Sequence, residues 1–499
     1  MKTETKDNTL PVIGFEIHVE LATDTKMFCR CANRFGDPPN THTCPVCIGM
    51  PGALPVMNRQ AVDYSMIVGL ALNCRLPEFT KWDRKSYYYP DLPKNYQISQ
   101  YDLPLAIDGH LDIPLPDGQT RRIGVTRAHL EEDAGKNVHD FPAHTGVDLN
   151  RAGVPLLEIV TEPDIRSVEE VMSFARAMQR LVRWLGVSEA NMEMGQMRFE
   201  PNISLWVGDT EKVFDDACGY FTPIFEVKNL NSFRSLERTC RWVIDYHQAQ
   251  IAEKGRGWSL ADVGKQNWGF RDDLNACEFQ RGKEEAHDYR YFPDPDLAPV
   301  AVDNAWRQKI AARIGELPIT RKARYISQYQ LTEKQADALT LDAPTGDLLD
   351  AAVAAGADAK QCVNLLLGRG AAIANERGCA IAEIGITPEQ LAELAKMLAG
   401  GEINATAADK IFTRMVETDA APSVIAESEA LLVVSDAGKI GEWVNQAIAK
   451  NPQAVEDVRA GGKKQKKAFG FLTGQVMQLS GGAAAPAEVQ KLLHEKLGG

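Results

Sequence analysis

Residues 13–21 alternate with a period of two. The odd positions Ile13, Phe15, Ile17, Val19 and Leu21 are apolar, and the even positions include Glu16, His18 and Glu20. In a strand such positions lie on opposite faces, about 7 Å apart along each face. The pattern recurs. In residues 126–133, Ala128 and Leu130 oppose Arg127, His129 and Glu131. In residues 197–207, Met197, Phe199, Ile203, Leu205 and Val207 oppose Arg198, Glu200, Asn202 and Ser204. In residues 224–228, Phe225 and Val227 oppose Glu226 and Lys228. A sheet with one solvated side gives the same alternation. The repeated pairing of Glu with His, Arg and Asn points instead to a site. Converging carboxylates suit Mg²⁺ and a nucleoside triphosphate, and Arg and Lys on the same face steady phosphate charge. No glycine-rich Walker loop is present, so an ATP site here is of another type.

A second constellation is C-x-C-x12-C-x2-C, formed by Cys29, Cys31, Cys44 and Cys47. Two short pairs across a loop can close a tetrahedral thiolate site, and structural Zn²⁺ is the favoured reading. Free thiols, or a redox pair at Cys44 and Cys47, are the alternatives. Four cysteines leave no open position, so no catalysis is assigned to this site. The other six cysteines are scattered, which without a secretory signal indicates free thiols.

The elements that position these groups follow from the rest of the chain. Its 499 residues predict about three domains. A 44% hydrophobic and 25% charged composition excludes a disordered or fibrous protein. No apolar run reaches membrane-spanning length, and the polar start MKTETKDNT is not a signal peptide, so a cytoplasmic protein is expected. The net charge of −13 argues against a uniformly basic nucleic-acid coat but leaves room for a local patch. Beyond residue 330 the only aromatic residues are Phe412, Trp443, Phe469 and Phe471, and Ala-rich helical patterns take over. The expected fold is α+β. A domain over 1–302 carries a mainly antiparallel sheet and a zinc-binding insertion around 29–47. An all-α domain over 303–425 and a small all-α tail domain over 426–499 follow. Ser167 with Glu170 predicts a helix start, followed by the stripe Val171, Phe174, Met178, Leu181, Val182 and Leu185 and a stop at Gly186. Thr387, Pro388 and Gln390 start another helix, with Leu391, Leu394 and Leu398 on one face and Gly400 and Gly401 at its end.

The stretches VIGFEIHVEL, CPVCIGMPGALPVMN, KSYYYPDLPKNYQISQYD, HLEEDAGK, NRAGVPLLEIVTEPD, EVKNLNSF and KEEAHDYRYFPDPDL resemble the B-subunit family of bacterial aspartyl/glutamyl-tRNA amidotransferases. The resemblance is collinear over essentially the whole chain, including the tail NPQAVEDVRAGGKKQKKAFGFLTGQVM. It implies a cradle domain followed by helical and tail domains. It implies a ligase forming a carbon–nitrogen bond with glutamine as amido donor. ATP and Mg²⁺ would serve to phosphorylate the misplaced side-chain carboxylate of Asp-tRNA(Asn) or Glu-tRNA(Gln). Ammonia from a partner amidase, the A subunit, would then displace phosphate. A small third protein, the C subunit, would complete a heterotrimer.

By motif match, Glu16, His18 and Glu131 are the magnesium candidates, with Glu200 and Glu226 next. Arg198, Asn202 and Lys228 are expected at the nucleotide. Lys85, Tyr89, Lys94, Tyr96 and Gln97 are expected to line the acyl-acceptor pocket or ammonia exit. Tyr87 and Tyr88 as packing residues, His129 beside the site, and Asp288 and Arg290 as loop-orienting residues are the plainer readings. The basic run Lys463, Lys464, Lys466 and Lys467 beside Phe469 and Phe471 is expected to meet tRNA phosphates, a solvated face being the alternative.

The chain departs from many relatives at residues 198–202, where RFEPN replaces RCDAN or RCDVN. Glu200 keeps the carboxylate with an added methylene, and Pro201 predicts an edge strand or a bulge. Residues 255–280 match loosely, and some members lack the four cysteines. No Lys–Ser–Ser amidase signature is present, so glutamine hydrolysis is not expected of this chain. The chain has no room for the inserted domain of the archaeal glutamine-specific relative. A tRNA-binding scaffold without catalysis and a free-standing ammonia-dependent ligase are the competing readings.

Overall fold

The computed structural model describes residues 9–115, 117–139, 141–282, 289–434, 436–461 and 464–498. Its strands are β1 (Thr9–Glu20), β2 (Phe79–Thr80), β3 (Asp83–Ser86), β4 (Tyr96–Ser99), β5 (Ala106–Pro114), β6 (Thr120–Glu132), β7 (Lys136–Val138), β8 (Gly146–Asp148), β9 (Pro155–Thr161), β10 (Met197–Gly208), β11 (Gly219–Phe221), β12 (Ile224–Lys228), β13 (Lys265–Arg271), β14 (Ala276–Gly282), β15 (Phe292–Pro293) and β16 (Val300–Ala301). The main sheet has nine strands in the order β14-β13-β12-β10-β1-β9-β6-β5, with β11 beside β10. Its pairs are antiparallel except β12 with β13. The expected α+β class is therefore observed.

Strand β1 lies between β10 and β9, and its odd side chains from Ile13 to Val19 are almost wholly buried. Helices α1 (Arg59–Ala71), α2 (Val168–Trp184) and α3 (Phe233–Lys254) share that core. Phe15 stacks on Phe174 of α2 at 5.6 Å and meets Phe199 of β10 edge-on. A fully buried Phe of this kind contributes about 1.5–3 kcal/mol. Helix α2 starts where its sequence predicts, with the Ser167 hydroxyl accepting from Glu170 N. The Glu170 carboxylate returns to Arg166 N rather than to Ser167 N, so the box closes one residue early. Gly186, at φ 65°, follows the helix.

Pro201 sits in neither an edge strand nor a bulge. Strand β10 is interior, and its register with β1 runs unbroken from Thr9–Val207 to Val19–Met197. Phe15 N points away from β10 and donates to Thr161 Oγ1 at 2.9 Å. In an antiparallel ladder its opposite residue, Pro201, then faces its nitrogen toward the β12 side. Strand β12 pairs there only with Asn202 and Ile203, so no ladder bond is lost.

The chain forms two units, Met1–Leu317 and Pro318–Gly499. Helix α5 (Asn304–Ala311), which follows the four-residue helix α4 (Leu260–Val263), lies in the first unit. There Trp306 Nε1 donates to Asp63 of α1 at 2.7 Å. The second unit is helical, with one core running from Tyr325 to Ala426 and another from Ile440 to Leu497. The capping box of Thr387 and Gln390 is formed, Leu391 and Leu394 are fully buried, and Gly401 turns the chain at φ 71°. No described helix is long and apolar enough to cross a membrane.

His247 of α3 is buried between Phe225 and Trp258, at ring distances of 4.4 and 4.9 Å, and shares a 2.8 Å hydrogen bond with Thr222. Burial lowers its pKa to about 3. The unfolded chain therefore takes up a proton near pH 6.5 that the folded chain refuses. The stability this group contributes is complete above pH 6.5 and is lost as pH falls toward 3, at up to about 1.4 kcal/mol per pH unit. Denaturation midpoints followed by tryptophan fluorescence should fall more steeply between pH 6.5 and 4 for the wild type than for His247→Gln. Parallel curves would remove His247 as the cause.

Candidate active site on the sheet face

The face of the sheet opposite the core gathers acidic groups from five strands. Glu16 and His18 come from β1, Glu131 from β6, Glu158 from β9, Glu200 from β10 and Glu226 from β12. Cross-strand register brings them together. His18 lies opposite Glu158 on one side and Arg198 on the other, and Glu16 lies opposite Glu200. Asn202 pairs with Glu226, and His129 with Glu158.

The predicted carboxylates fall into two groups rather than one. His18, Glu131 and Glu158 offer ligand atoms within 4.8 Å of one another, and so do Glu16, Glu200 and Glu226. His18 stands between the groups. Its Nε2 is 3.3 Å from Glu158 and 3.8 Å from Glu131, and its Nδ1 is 3.6 Å from Glu200. Asn202 donates to Glu16 at 3.4 Å. Lys228 Nζ lies 3.1 Å from Glu200 and 3.0 Å from Glu226. Arg198 is held by Asp133 at 3.0 Å.

The electrostatics follow from burial and like charge. Burial raises the Glu131 carboxyl to about 6, even with the Lys85 ammonium nearby. Burial also raises Glu158, but His129 and His18 overcome this and hold it well below the usual carboxylate range. Burial lowers His18, yet its bond to Glu158 and the Glu200 charge bring it up to about 9. His129 is pushed down to about 4 by burial. Lys85 and Lys228 stay charged, since neighbouring carboxylates outweigh the cost of burying them.

The β3–β4 hairpin lies beside the first group. Lys85 of β3 is set against Glu131 and Glu158 and lies 5.2 Å from the Tyr289 ring. Lys94, just before β4, pairs with Glu132, the neighbour of Glu131, and both side chains are buried. Gln97 donates to Glu132 O at 2.7 Å. Tyr87 donates to Gln97 at 3.4 Å. Tyr96 turns instead beneath the Arg84 guanidinium at 4.2 Å. Tyr89 is 58% exposed on the connecting loop. Arg290 adopts φ 48°, and Asp288 lies outside the described residues.

Beside Glu16 opens a cavity of about 320 Å³, lined by Asn202, Ser204, Phe214, Phe221, Ile224 and Lys265 among others. Phe214 holds an uncommon left-handed backbone at φ 74° and stands 5.3 Å from Phe221. In the second unit, Lys464 and Lys467 flank a groove with Lys450 and the half-exposed Phe471. Lys466 is exposed on the same helix, Gln465–Leu479, and Lys463 lies outside the described residues.

Cys29, Cys31, Cys44 and Cys47 bring their sulfurs within 4.8 Å of one another as free thiols. The Cys44 and Cys47 sulfurs are 3.9 Å apart. A tetrahedron with metal–sulfur bonds of about 2.3 Å has edges of about 3.8 Å, so the spacing fits zinc. The Cys47 thiol is drawn down to about 5, first by a hydrogen bond from Cys29 and further by Cys44 and the Lys26 charge.

Sequence reasoning missed Glu158, although it lies within the motif NRAGVPLLEIVTEPD. It is the one charged residue of β9, set among Leu156, Leu157, Ile159 and Val160. With apolar residues on both faces, no period-two signal marks it, and only its place in the motif could have pointed to it. Asp133 and Glu132, which anchor Arg198 and Lys94, carried no pattern of their own.

Residues 11–308 match the family model described as the GatB/GatE catalytic domain, and residues 347–497 match the GatB domain. The chain is 44% identical over 497 residues to the B subunit of the aspartyl/glutamyl-tRNA(Asn/Gln) amidotransferase of Geobacter sulfurreducens, covering 99% of this chain and 100% of the relative. It is 42% identical to the B subunit of the Trichlorobacter lovleyi amidotransferase, covering 98% and 99% of the two chains. That of Carboxydothermus hydrogenoformans is also 42% identical, with 97% and 98% covered. With near-complete coverage at this identity, the chain belongs to the B-subunit family of aspartyl/glutamyl-tRNA(Asn/Gln) amidotransferases.

Proposed function

We propose that this chain activates and amidates the side-chain carboxylate of misacylated Asp-tRNA(Asn), Glu-tRNA(Gln) or both, within an assembly that includes a partner amidase (the A subunit) and a small third protein (the C subunit). The observation that carries the reading is the pair of acidic groups, side by side and rimmed by Lys85, Lys228 and Arg198. A carboxylate repels nucleophiles and has no adequate leaving group. Phosphorylation by ATP releases ADP and gives an acyl phosphate. Ammonia attacks its carbonyl carbon, phosphate departs, and a proton lost from nitrogen leaves the amide.

The donor atoms fit hard divalent cations, since carboxylate oxygens are the preferred ligands of Mg²⁺ and an imidazole accompanies only one group. Glu16, Glu200 and Glu226 would hold the Mg²⁺ that accompanies ATP, and Glu131 and Glu158, with His18 once it gives up its proton, a second cation. When bound, such cations neutralise charge on the transferring phosphoryl group. Lys228 and Arg198 present positive charge to phosphate oxygens, and the cavity beside Glu16 receives the nucleoside. Lys85 and Lys94, with Tyr89 on the connecting loop and Tyr96 and Gln97 of β4, orient the acceptor carboxylate and exclude water. The basic groove in the second unit meets tRNA phosphates. The four cysteines hold structural zinc. The acidic groups disfavour the scaffold reading, because burying Glu131, Glu158 and Glu226 on one face is costly even with Lys85, His18 and Lys228 as partners, and a scaffold has no use for them.

With its partner proteins, misacylated tRNA, ATP, Mg²⁺ and glutamine, the wild-type chain should form amidated aminoacyl-tRNA. Glu131→Ala and Glu158→Gln should each lower turnover at least 100-fold while tRNA affinity stays within twofold. Tight tRNA binding without product in the assembled wild type would favour the scaffold. Metal analysis should find one zinc per chain, absent in a Cys44→Ser/Cys47→Ser variant; a chain purified without zinc would overturn the thiolate-site assignment. Replacing Lys463, Lys464, Lys466 and Lys467 by Ala should raise KM for tRNA and flatten its salt dependence. An unchanged KM would discard the tail contact.

A further inference from the structure

The tetracysteine loop does not stand apart from the sheet. Gly49 closes the turn after Cys47 at φ 72°, its N–H donating to Val46 O. A Cβ at Gly49 would fall 2.4 Å from Lys94 Cγ and 3.1 Å from Lys94 Cα. The turn therefore lies against the stem of Lys94, and only a residue without a side chain fits between them.

A second convergence occurs at Gly153, at φ 86°. A methyl there would touch Cys47 Cβ at 3.5 Å, Lys26 Cδ at 3.6 Å and Glu132 Oε2 at 3.7 Å. Gly153 N donates to Asp133 O, and Gly153 O accepts from Met27 N. Lys26 is fully buried and donates to the carbonyls of His42 at 2.7 Å and Leu149 at 3.2 Å. The stems of Cys47 and of the buried Lys26 and the Glu132 carboxylate thus surround one point of backbone. Glu132 pairs with Lys94 and accepts from Ile98 N at 2.9 Å, which ties β4 to β6 next to Glu131.

We propose that the tetracysteine loop is a positioning element for the acceptor side of the site: with its metal bound, it fixes the buried Lys94–Glu132 pair through Gly49 and Gly153. The inference rests on the functional reading above for the role of Lys94, but the mechanical coupling does not.

Gly49→Ala and Gly52→Ala test it in the assembled complex. Gly52 has a similar backbone, φ 82°, with nothing within 4 Å of its would-be Cβ, so it controls for backbone strain. Amide hydrogen exchange at Ile98, zinc content and the amidation kinetics are measured together. Gly49→Ala should keep its zinc, raise Ile98 exchange at least tenfold and lower kcat at least tenfold, with KM for tRNA within twofold. Gly52→Ala should change each within twofold. Chelating zinc from the wild type should reproduce the Ile98 response. Equal behaviour of the two variants, or an Ile98 amide indifferent to zinc removal, overturns the proposal. If Gly49→Ala loses zinc, adding Lys94→Ala should recover part of it by removing the 2.4 Å Cγ contact; no recovery at all also overturns the proposal. An Ile98 response in a wild-type complex that makes no amide would leave the coupling standing and remove the functional reading.

Discussion

Like charges gathered on one buried surface repel, and water is not there to screen them. Glu131, Glu158 and Glu226 meet this condition on the sheet face, with the half-buried Glu200 beside them. Each carboxylate has a cation or imidazole within reach: His18 and His129 for Glu158, Lys85 for Glu131, and Lys228 for Glu200 and Glu226. None of these pairs would hold on mobile elements. They are held because β1, β6, β9, β10 and β12 are locked in register, and the register is enforced by the opposite face. Sliding β1 by one residue would send Phe15 and Ile17 into the acidic surface and Glu16 and His18 into the core.

This dependence explains which parts were legible in the sequence. Period two is a strong signal wherever one face is apolar, so β1, β6, β10 and β12 and their outward residues could be read directly. The helix ends at Ser167 and Thr387 were legible because capping is local chemistry. What the sequence could not show was partition. Glu16 and His18 look equivalent two residues apart, yet each joins a different acidic group, because that depends on which neighbouring strand faces it. Strand β9 was obscured by its nearly uninterrupted apolar run, in which one Glu reads as an exception. Pro201 was misread because its tolerance depends on where β12 begins to pair, a fact of tertiary structure.

The loops are organised on a different principle. The tetracysteine loop and the residues of and after the β7–β8 hairpin are an example. They are joined by side-chain to backbone bonds, such as Asn40 to Asp148 and Val147 and Asn150 to His42 and Pro38. Such bonds are directional but individually worth only about 1 kcal/mol. A metal cross-link is an economical way to make a region of this kind rigid.

The alternation of Glu16 and His18 along β1 has a geometric consequence. Each group is anchored on β1 by one residue, and those two anchor positions are one pleat repeat apart, about 7 Å, a spacing that a strand locked between two neighbours can change little. On the proposed function, the sheet is thus a ruler between the nucleotide end and the acceptor end. Aspartyl and glutamyl side chains differ by one methylene, and a ruler cannot accommodate that difference. Any tolerance for both then lies in the loop that carries Tyr89 and Lys94, where the aminoacyl ester would be seated, and leaves the spacing of the acidic groups unchanged.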